Sequence, residues 1–342
     1  MSLYSQFKQH VLSKKLISSS DKILLSISGG VDSVVLADLL FRLGRELGFD
    51  LSFVHFDHGL RGKESDDDAS FVKELAKRYQ RPFHKRSLKS KLSSKKTNLQ
   101  ALARAWRYRL LESLALQKQC SLIVTAHQAN DVAETFFIQM LRGKGPEAWV
   151  GLREKSVLEK NGLFLLRPLL PFSRKQILEY AQEKKILWRE DSSNLKTEYL
   201  RNKIRHGLFE ALHEINPKFL ELFAQNLEIL REEQDYLSQK MKSWLEEQKL
   251  QTQNRLSLSR TKLQQLPGVL RLRVLKESLK CIGLTYDKIK RVHLLNIQHL
   301  LLSSSPKARV TLANEIEVFV KKTELVFKRH SKRGKRSKNK FF

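Results

Sequence analysis

Residues 22–48 read KILLSISGGVDSVVLADLLFRLGRELG. KILLSIS is a short apolar run, and after the glycines apolar residues recur at helical spacing, so the stretch predicts a strand, a tight turn at SGGVDS and a helix. Glycine lets a backbone turn sharply and approach a ligand closely, while a helix start presents unpaired N–H groups and the positive end of its dipole. A phosphate suits such a turn, and Ser28 and Ser33 add hydroxyl donors. It is not a Walker loop, since no G-K-[ST] closes it, nor a dinucleotide fingerprint, since G-x-G-x-x-G is absent. Asp32 sharpens the reading: a carboxylate among phosphate donors repels the ligand unless a cation such as Mg2+ stands between them.

The same alternation continues outward. LSFVHFDH (51–58), RPFHKRSL (81–88), SLIVTAH (121–127) and LFLLRPLL (163–170) are further short β-like runs separated by amphipathic segments. This pattern predicts an α/β fold, a parallel sheet with crossover helices on both faces, occupying residues 1–210. Ligands of such sheets bind beyond the carboxyl ends of the strands, where SGGVDS, HFDHGLR (55–61) and TAHQANDVAET (125–135) all fall. From about residue 199 the chain turns charged and helical without strands, which predicts a helical linker over 211–250. A small α+β C-terminal domain over 251–329 follows, with helical GVLRLRVLKESLKCIG (268–283) and DKIKRVHLLNIQHLLL (287–302), then β-like ARVTLANEIEVFVKKTELVFKR (308–329). Residues 330–342, HSKRGKRSKNKFF, carry too few apolar side chains to fold alone and are expected to be a disordered basic tail.

The chain has 342 residues, 41% of them hydrophobic, enough for the cores of two or three domains. Its 64 Lys and Arg against 36 Asp and Glu give a formal charge of +28, which points to a polyanionic partner, nucleic acid first. Cys120 and Cys281 lie far apart and outside any C-x-x-C pair, which supports neither a disulfide framework nor a cysteine-rich zinc site; both read as small buried hydrophobes. The N-terminal MSLYSQFKQHVLSKKL lacks the apolar core of a secretion signal and no stretch approaches a membrane span, so a cytoplasmic location with no membrane partner is expected.

SGGVDS resembles the pyrophosphatase loop (PP-loop) of the N-type ATP pyrophosphatases, which split ATP between its first and second phosphates. Further stretches choose among them. VHFDHGLR (54–61), NLQALARAWRYRLL (98–111), TAHQANDVAET (125–135), RGKGPEAWVGL (142–152), RPLLPFSRKQILEYAQEKKILWREDSSN (167–194) and YLRNKIRHGLF (199–209) occur in the order of, and resemble, the tRNA(Ile)-lysidine synthetase family. The resemblance covers about residues 20–210 and implies an adenine nucleotide alpha hydrolase-like fold, with residues 251–329 resembling that family's first C-terminal domain, a tRNA-binding one, more loosely. It implies an ATP-dependent ligase that joins free L-lysine to carbon 2 of the wobble cytidine of a tRNA(Ile) with a CAU anticodon. ATP adenylates the 2-carbonyl oxygen, releasing pyrophosphate, and AMP leaves when the lysine amine attacks. ATP and Mg2+ are the implied cofactors. Two departures stand out: Gln128 occupies a position where members often show a second histidine, and a basic tail stands where longer members carry a further domain.

Carried onto this sequence, the motifs assign Ser28, Gly29, Gly30 and Ser33 to the phosphates and Asp32 to Mg2+, with Val31 packing within the same ATP-binding turn. His55 and Asp57, on the same side of a strand that lasts that far, with His58 and Arg61 beyond them, are expected to meet ATP. Arg104 and Arg107 share a helical face, and one of them serves adenylation. His127, Asp131 and Glu134 are assigned to lysine recognition or the reaction, and Arg201, Asn202 and Arg205 to ATP phosphates or tRNA. With an amine pKa of about 10.4, only on the order of one lysine side chain in 10³ is neutral at pH 7, so an acid here or His127 must accept a proton. Trp106, Tyr108 and Trp188 sit amid apolar neighbours and read as core. The competing readings are another PP-loop tRNA-modifying enzyme such as a thiolase, which calls for catalytic cysteines or a cluster site, and a non-catalytic RNA-binding module. Whether the chain acts alone or as a homodimer stays open.

Basic tails grip phosphates without reading bases. Deleting residues 330–342 is expected to weaken tRNA binding and flatten its salt dependence while leaving the choice of tRNA unchanged; equal affinity of both forms across a salt series refutes the role.

Overall fold

The computed structural model describes residues 1–57, 63–87, 99–158, 162–189, 200–248, 250–252, 254–285, 288–303, 305, 308–312 and 316–330. The chain divides into two compact units, Met1–Leu230 and Arg231–Phe342.

The first unit carries α1 (Leu3–Ser13), β1 (Lys22–Ser26), α2 (Val31–Leu47), β2 (Asp50–Asp57), α3 (Lys63–Arg78), β3 (Phe83–Ser87), α4 (Leu99–Gln117), β4 (Leu122–Val124) and α5 (Ala129–Leu141). There follow a single turn α6 (Pro146–Trp149), β5 (Lys155–Leu158), β6 (Leu163–Leu166), α7 (Arg174–Glu183), α8 (Leu200–Lys203), a π-helical turn at Ile204–Leu208 and α9 (Phe209–Ile215). The six strands form one sheet in the order β3-β2-β1-β4-β6-β5, parallel except for β5, which runs antiparallel to β6. The five expected strands and the two-faced α/β architecture are present. The reversed edge strand β5, KSVL, is an addition the sequence reading lacked.

Strands buried on both faces read as continuous apolar runs, and β1 shows why. Ile23 and Leu25 join the core beneath α1, α2, α3 and α7, while Leu24 between them joins Val54, Phe56 and the α4 residues Leu111, Leu114 and Ala115 on the opposite face. A buried Asp38 in α2 fixes α2 against α7: it accepts hydrogen bonds from the Tyr180 hydroxyl at 2.7 Å and the Tyr79 hydroxyl at 3.2 Å, and pairs with Arg42 at 2.8 Å. Both helices therefore start from fixed positions. On α5, Val132 and Phe136 pack with Val150, Leu152, Leu170 and Leu227, and Ala133 and Phe137 pack with Ile204, Phe209, Phe219 and Phe223. The stacked Phe137 and Phe223 rings, 6.1 Å apart, belong to that second cluster. Packing on α5 thus sets where α8 and its π-helical turn lie.

The helix α10 (Phe219–Gln248) is continuous through the division at Leu230, so the stretch expected as a separate linker, 211–250, is shared between the units. The second unit adds β7 (Leu250–Thr252), β8 (Arg255–Ser259), α11 (Arg260–Gln265), α12 (Gly268–Cys281), α13 (Arg291–Leu302), β9 (Arg309–Leu312), β10 (Ile316–Val320) and β11 (Glu324–Arg329). Its strands pair antiparallel in the order β7-β8-β11-β10-β9 around a core that includes Leu256, Leu275, Ile297, Val318 and Phe327. The basic residues from Ser331 onward lie outside the described residues.

Three expectations about packing need correction. Cys120 and Cys281 are half-buried rather than fully buried, each against the edge of a core cluster. Trp106 is 44% exposed, because it sits on the outward side of α4. Tyr108 and Trp188 do pack against core clusters, yet both also line the cavity described next. No helix among the described residues is long and apolar enough to cross a membrane.

Candidate active site

A turn of glycines at the end of a buried strand becomes a specific structure through one hydroxyl. Ser33 Oγ accepts the N–H groups of Ser28 and Gly29 at 3.3 Å each and donates to the Gly30 carbonyl oxygen at 2.8 Å. Gly29 has φ +99°, a left-handed conformation that a side chain makes strained. The outcome is that α2 starts at Gly30 with no side-chain cap. Ser33 is buried and saturated by these bonds; the exposed Ser28 hydroxyl and the uncapped helix start are what the turn offers to an anion.

That helix start opens into a cavity of about 820 Å³ at the carboxyl ends of β1 and β4, lined by residues from Ser26 to Arg205. Its walls carry five arginines, Arg107, Arg174, Arg189, Arg201 and Arg205, and three carboxylates, Asp32, Asp68 and Asp131, with His127 and Thr125 between them.

Asp32, in the first turn of α2, has its Oδ2 3.4 Å from Arg174 Nη1, and its Oδ1 is buried with no hydrogen-bond partner among the described residues. Burial pushes its carboxyl up to about 6; Arg174 opposes the rise, Asp131 adds to it, Arg205 opposes it and Glu134 adds again. A solitary buried carboxylate oxygen beside an anion site is the donor that Mg2+ uses when phosphate oxygens and water complete its shell.

On α5, Gln128 caps the helix: its side-chain oxygen accepts the Asn130 N–H at 2.6 Å, and Asp131 Oδ2 accepts the Gln128 N–H at 3.0 Å. Gln128 is fully buried, so the residue that departs from the family pattern serves the helix end. Asp131 keeps its other oxygen toward the cavity, 3.9 Å from Arg201 Nη2. Glu134 is fully buried. Arg205 Nε donates to its Oε1 at 2.7 Å, and Arg201 Nε stands 2.7 Å from Oε2 as an ion pair, out of line for a hydrogen bond. Burial pushes the Glu134 carboxyl up, against the pull of Arg205. With both oxygens occupied, Glu134 holds two arginines at the cavity wall instead of facing the cavity itself. His127 lines the cavity with Nδ1 3.0 Å from the Thr125 hydroxyl.

The remaining expected residues divide. Arg107 lines the cavity; the side chain of Arg104 and the whole of His58 and Arg61 lie outside the described residues. His55 is buried with Nδ1 2.9 Å from the Ile27 carbonyl oxygen, burial lowers its pKa, and it stands outside the cavity lining. Asp57 pairs with Lys85 at 3.2 Å, also outside the lining, and Asn202 is buried outside it. Val31 is a core residue that reaches the cavity wall.

Sequence reading missed Arg174, Arg189 and Asp68. A signal for Arg174 existed: the capping box of Ser173 and Gln176 marks it as the first residue of α7, and a helix of this fold begins at the carboxyl end of the sheet. Its N–H also donates to Asn130 Oδ1 at 3.1 Å. Arg189 has no such signal. Its N–H donates to the Gly29 carbonyl oxygen at 3.0 Å, bracing the turn, while its Nε pairs with Asp68 at 2.5 Å.

The family of PP-loop domains matches residues 2–212. The tRNA(Ile)-lysidine synthase of Dehalococcoides mccartyi is 31% identical over 300 residues, 86% of this chain and 64% of the relative, so the chain spans somewhat under two thirds of that protein's length. The tRNA(Ile)-lysidine synthase of a Synechococcus species is 32% identical over 272 residues, 80% of each chain. Among solved structures, the U34-tRNA thiolase NcsA from Methanococcus maripaludis superposes with a TM-score of 0.58 at 17% identity over 67% of this chain and 78% of its own, a likeness of fold.

Two outcomes follow from the charges. Asp32 has a native pKa near 6 against 3.8 in the unfolded chain, so between those pH values the native state holds a proton that the unfolded state has lost, and above about pH 6 the buried charge destabilises the fold. Asp32→Asn is expected to raise stability by about 1–3 kcal/mol at pH 8 and by much less at pH 4, read from melting temperatures at the two pH values; an equal change at both contradicts the burial effect. Glu134→Ala takes from Arg205 its carboxylate and leaves Arg201 with the longer contact to Asp131; because the Arg201 and Arg205 side chains keep 41% and 21% exposure, the loss is expected at ~2 kcal/mol in urea unfolding, below the ~3–5 typical of a stranded buried charge.

Proposed function

The chain belongs to the PP-loop domain family and, within it, to the tRNA(Ile)-lysidine synthases, and from that premise we propose that it ligates lysine to the wobble cytidine of a tRNA(Ile) with a CAU anticodon. In this reading it is an ATP-dependent ligase forming a carbon–nitrogen bond in the cytoplasm, and the product changes both the codon read and the amino acid accepted. The observation that carries the reading is the single cavity that joins an uncapped anion-binding turn to Asp131, His127 and a set of paired arginines. Phosphate is matched there by the helix start and the arginines, and a cationic amino acid by the cavity-facing oxygen of Asp131.

Carbonyl oxygen is a poor leaving group, and adenylation converts it into one. The helix start and the Ser28 hydroxyl bind the phosphates. Asp32 Oδ1 is the group that would hold Mg2+, which supplies neutralisation of phosphate charge when bound. Arg107, with Arg104 as the alternative, stabilises charge that develops as the cytidine oxygen attacks. The cavity-facing oxygen of Asp131 orients the lysine, and His127, held through Nδ1 by Thr125, accepts the amine proton. Glu134 acts through Arg201 and Arg205, which it places for ATP phosphate or tRNA. The second unit and the +28 charge supply affinity for the tRNA backbone.

A thiolase is a rival reading, since a solved thiolase shares the fold. Only two cysteines exist, and neither lines the cavity.

The test is incubation with ATP, lysine and a tRNA(Ile) bearing a CAU anticodon, followed by mass spectrometry of the anticodon fragment. Pyrophosphate release that needs the tRNA, with a mass gain of lysine less water on the wobble cytidine, is expected. Sulfur gain in a parallel incubation that holds sulfide in place of lysine selects the thiolase, and tRNA binding without pyrophosphate release selects a non-catalytic module.

A further inference from the structure

We propose that Arg174 is an exchangeable counterion: it neutralises Asp32 until a divalent cation takes that carboxylate, and its guanidinium then turns to the pyrophosphate end of the triphosphate. The proposal rests on the reading of the cavity as an ATP site.

The contacts differ in grip. Arg189, Arg201 and Arg205 each have a carboxylate oxygen within 2.7 Å, whereas Arg174 reaches Asp32 through one nitrogen at 3.4 Å. Asp32 Oδ1 has no hydrogen-bond partner among the described residues, so Arg174 half-satisfies a carboxylate that has room for a second cation. A divalent ion and a guanidinium repel each other across one carboxylate, and the ion, carrying twice the charge, displaces the looser partner.

The backbone makes the release local. Ser173 and Gln176 cap α7 reciprocally, and the Arg174 N–H is tied to Asn130, so the residue's main chain is pinned while its side chain, 36% exposed, has space to swing. Asp32 sits in the first turn of α2 beside the uncapped N–H groups, so a phosphate held there lies next to the freed guanidinium. A planar guanidinium matches phosphate oxygens in pairs, which suits it to hold the leaving pyrophosphate.

The experiment uses the full chain without tRNA or lysine. Binding of Mn2+ alone, as a stand-in for Mg2+, and of pyrophosphate alone is measured by calorimetry for the native protein and Arg174→Gln, with melting curves to verify folding. Arg174→Gln is expected to bind Mn2+ about two- to fivefold more tightly, since the competing cation is gone, and pyrophosphate about tenfold or more weakly, since a charge-assisted contact is lost. Arg174→Lys, which keeps the charge on a shorter-reaching ammonium, is expected to restore part of both and serves in place of the glutamine variant should that one fail to fold. Both affinities unchanged, or both moving in the same direction, overturns the exchange. Neither measurement involves lysine transfer, so failure of the lysidine reading would leave these outcomes where they are.

Discussion

The hydroxyl of Ser33 turned back into its own loop is the contact on which the site depends. It gathers the N–H groups of Ser28 and Gly29 and grips the Gly30 carbonyl oxygen, and by doing so from inside the turn it leaves the outer face of the helix start bare. Most helices cover that end with a side chain. Here the turn is stabilised and the anion site preserved by the same atom. The Arg189 N–H bond to Gly29 braces the arrangement from a segment far along the chain.

Around that bare end the charges are organised in pairs. Five cationic side chains facing one cavity would repel each other, and carboxylates at or behind the wall reduce that repulsion while fixing four of them in place: Glu134 behind it for Arg201 and Arg205, Asp131 also for Arg201, Asp68 for Arg189, Asp32 for Arg174. Pairing of this kind sharpens geometry more than it adds stability, since a buried ion pair regains little beyond its desolvation penalty. The positive potential is thereby retained for a polyanion without a disordered wall. Asp38 contributes at a distance, because it locks α2 to α7 and so sets the separation of Asp32 from Arg174.

Much of this was legible before any coordinates. The period change across SGGVDS specifies strand, turn and helix, and the later motifs specify where the loaded loops gather. What escaped was non-local. Arg174 is visibly the first residue of a helix, but its partner Asp32 lies 142 positions away. His55 was expected at ATP from its place in the VHFDHGLR motif, and a motif does not say that the Ile27 carbonyl will engage the ring. Glu134 was expected, with Asp131, at the lysine or the reaction; its spacing on α5 does not show that Arg201 of α8 and Arg205 of the π-helical turn close over it and take it fully out of water. The division at Leu230 left no trace because a continuous helix shows no break in its apolar rhythm.

The reversed strand β5 has a consequence of its own. A sheet margin is an open row of donors and acceptors that invites another chain to pair with it. β5 is four residues long, its first position is a lysine laid 4.5 Å over the Phe164 ring, and it runs opposite to the rest of the sheet. Such a margin makes a poor template, so the sheet bearing the cavity is shielded on that side from fibril-like stacking with other copies while its ligand-binding end stays open.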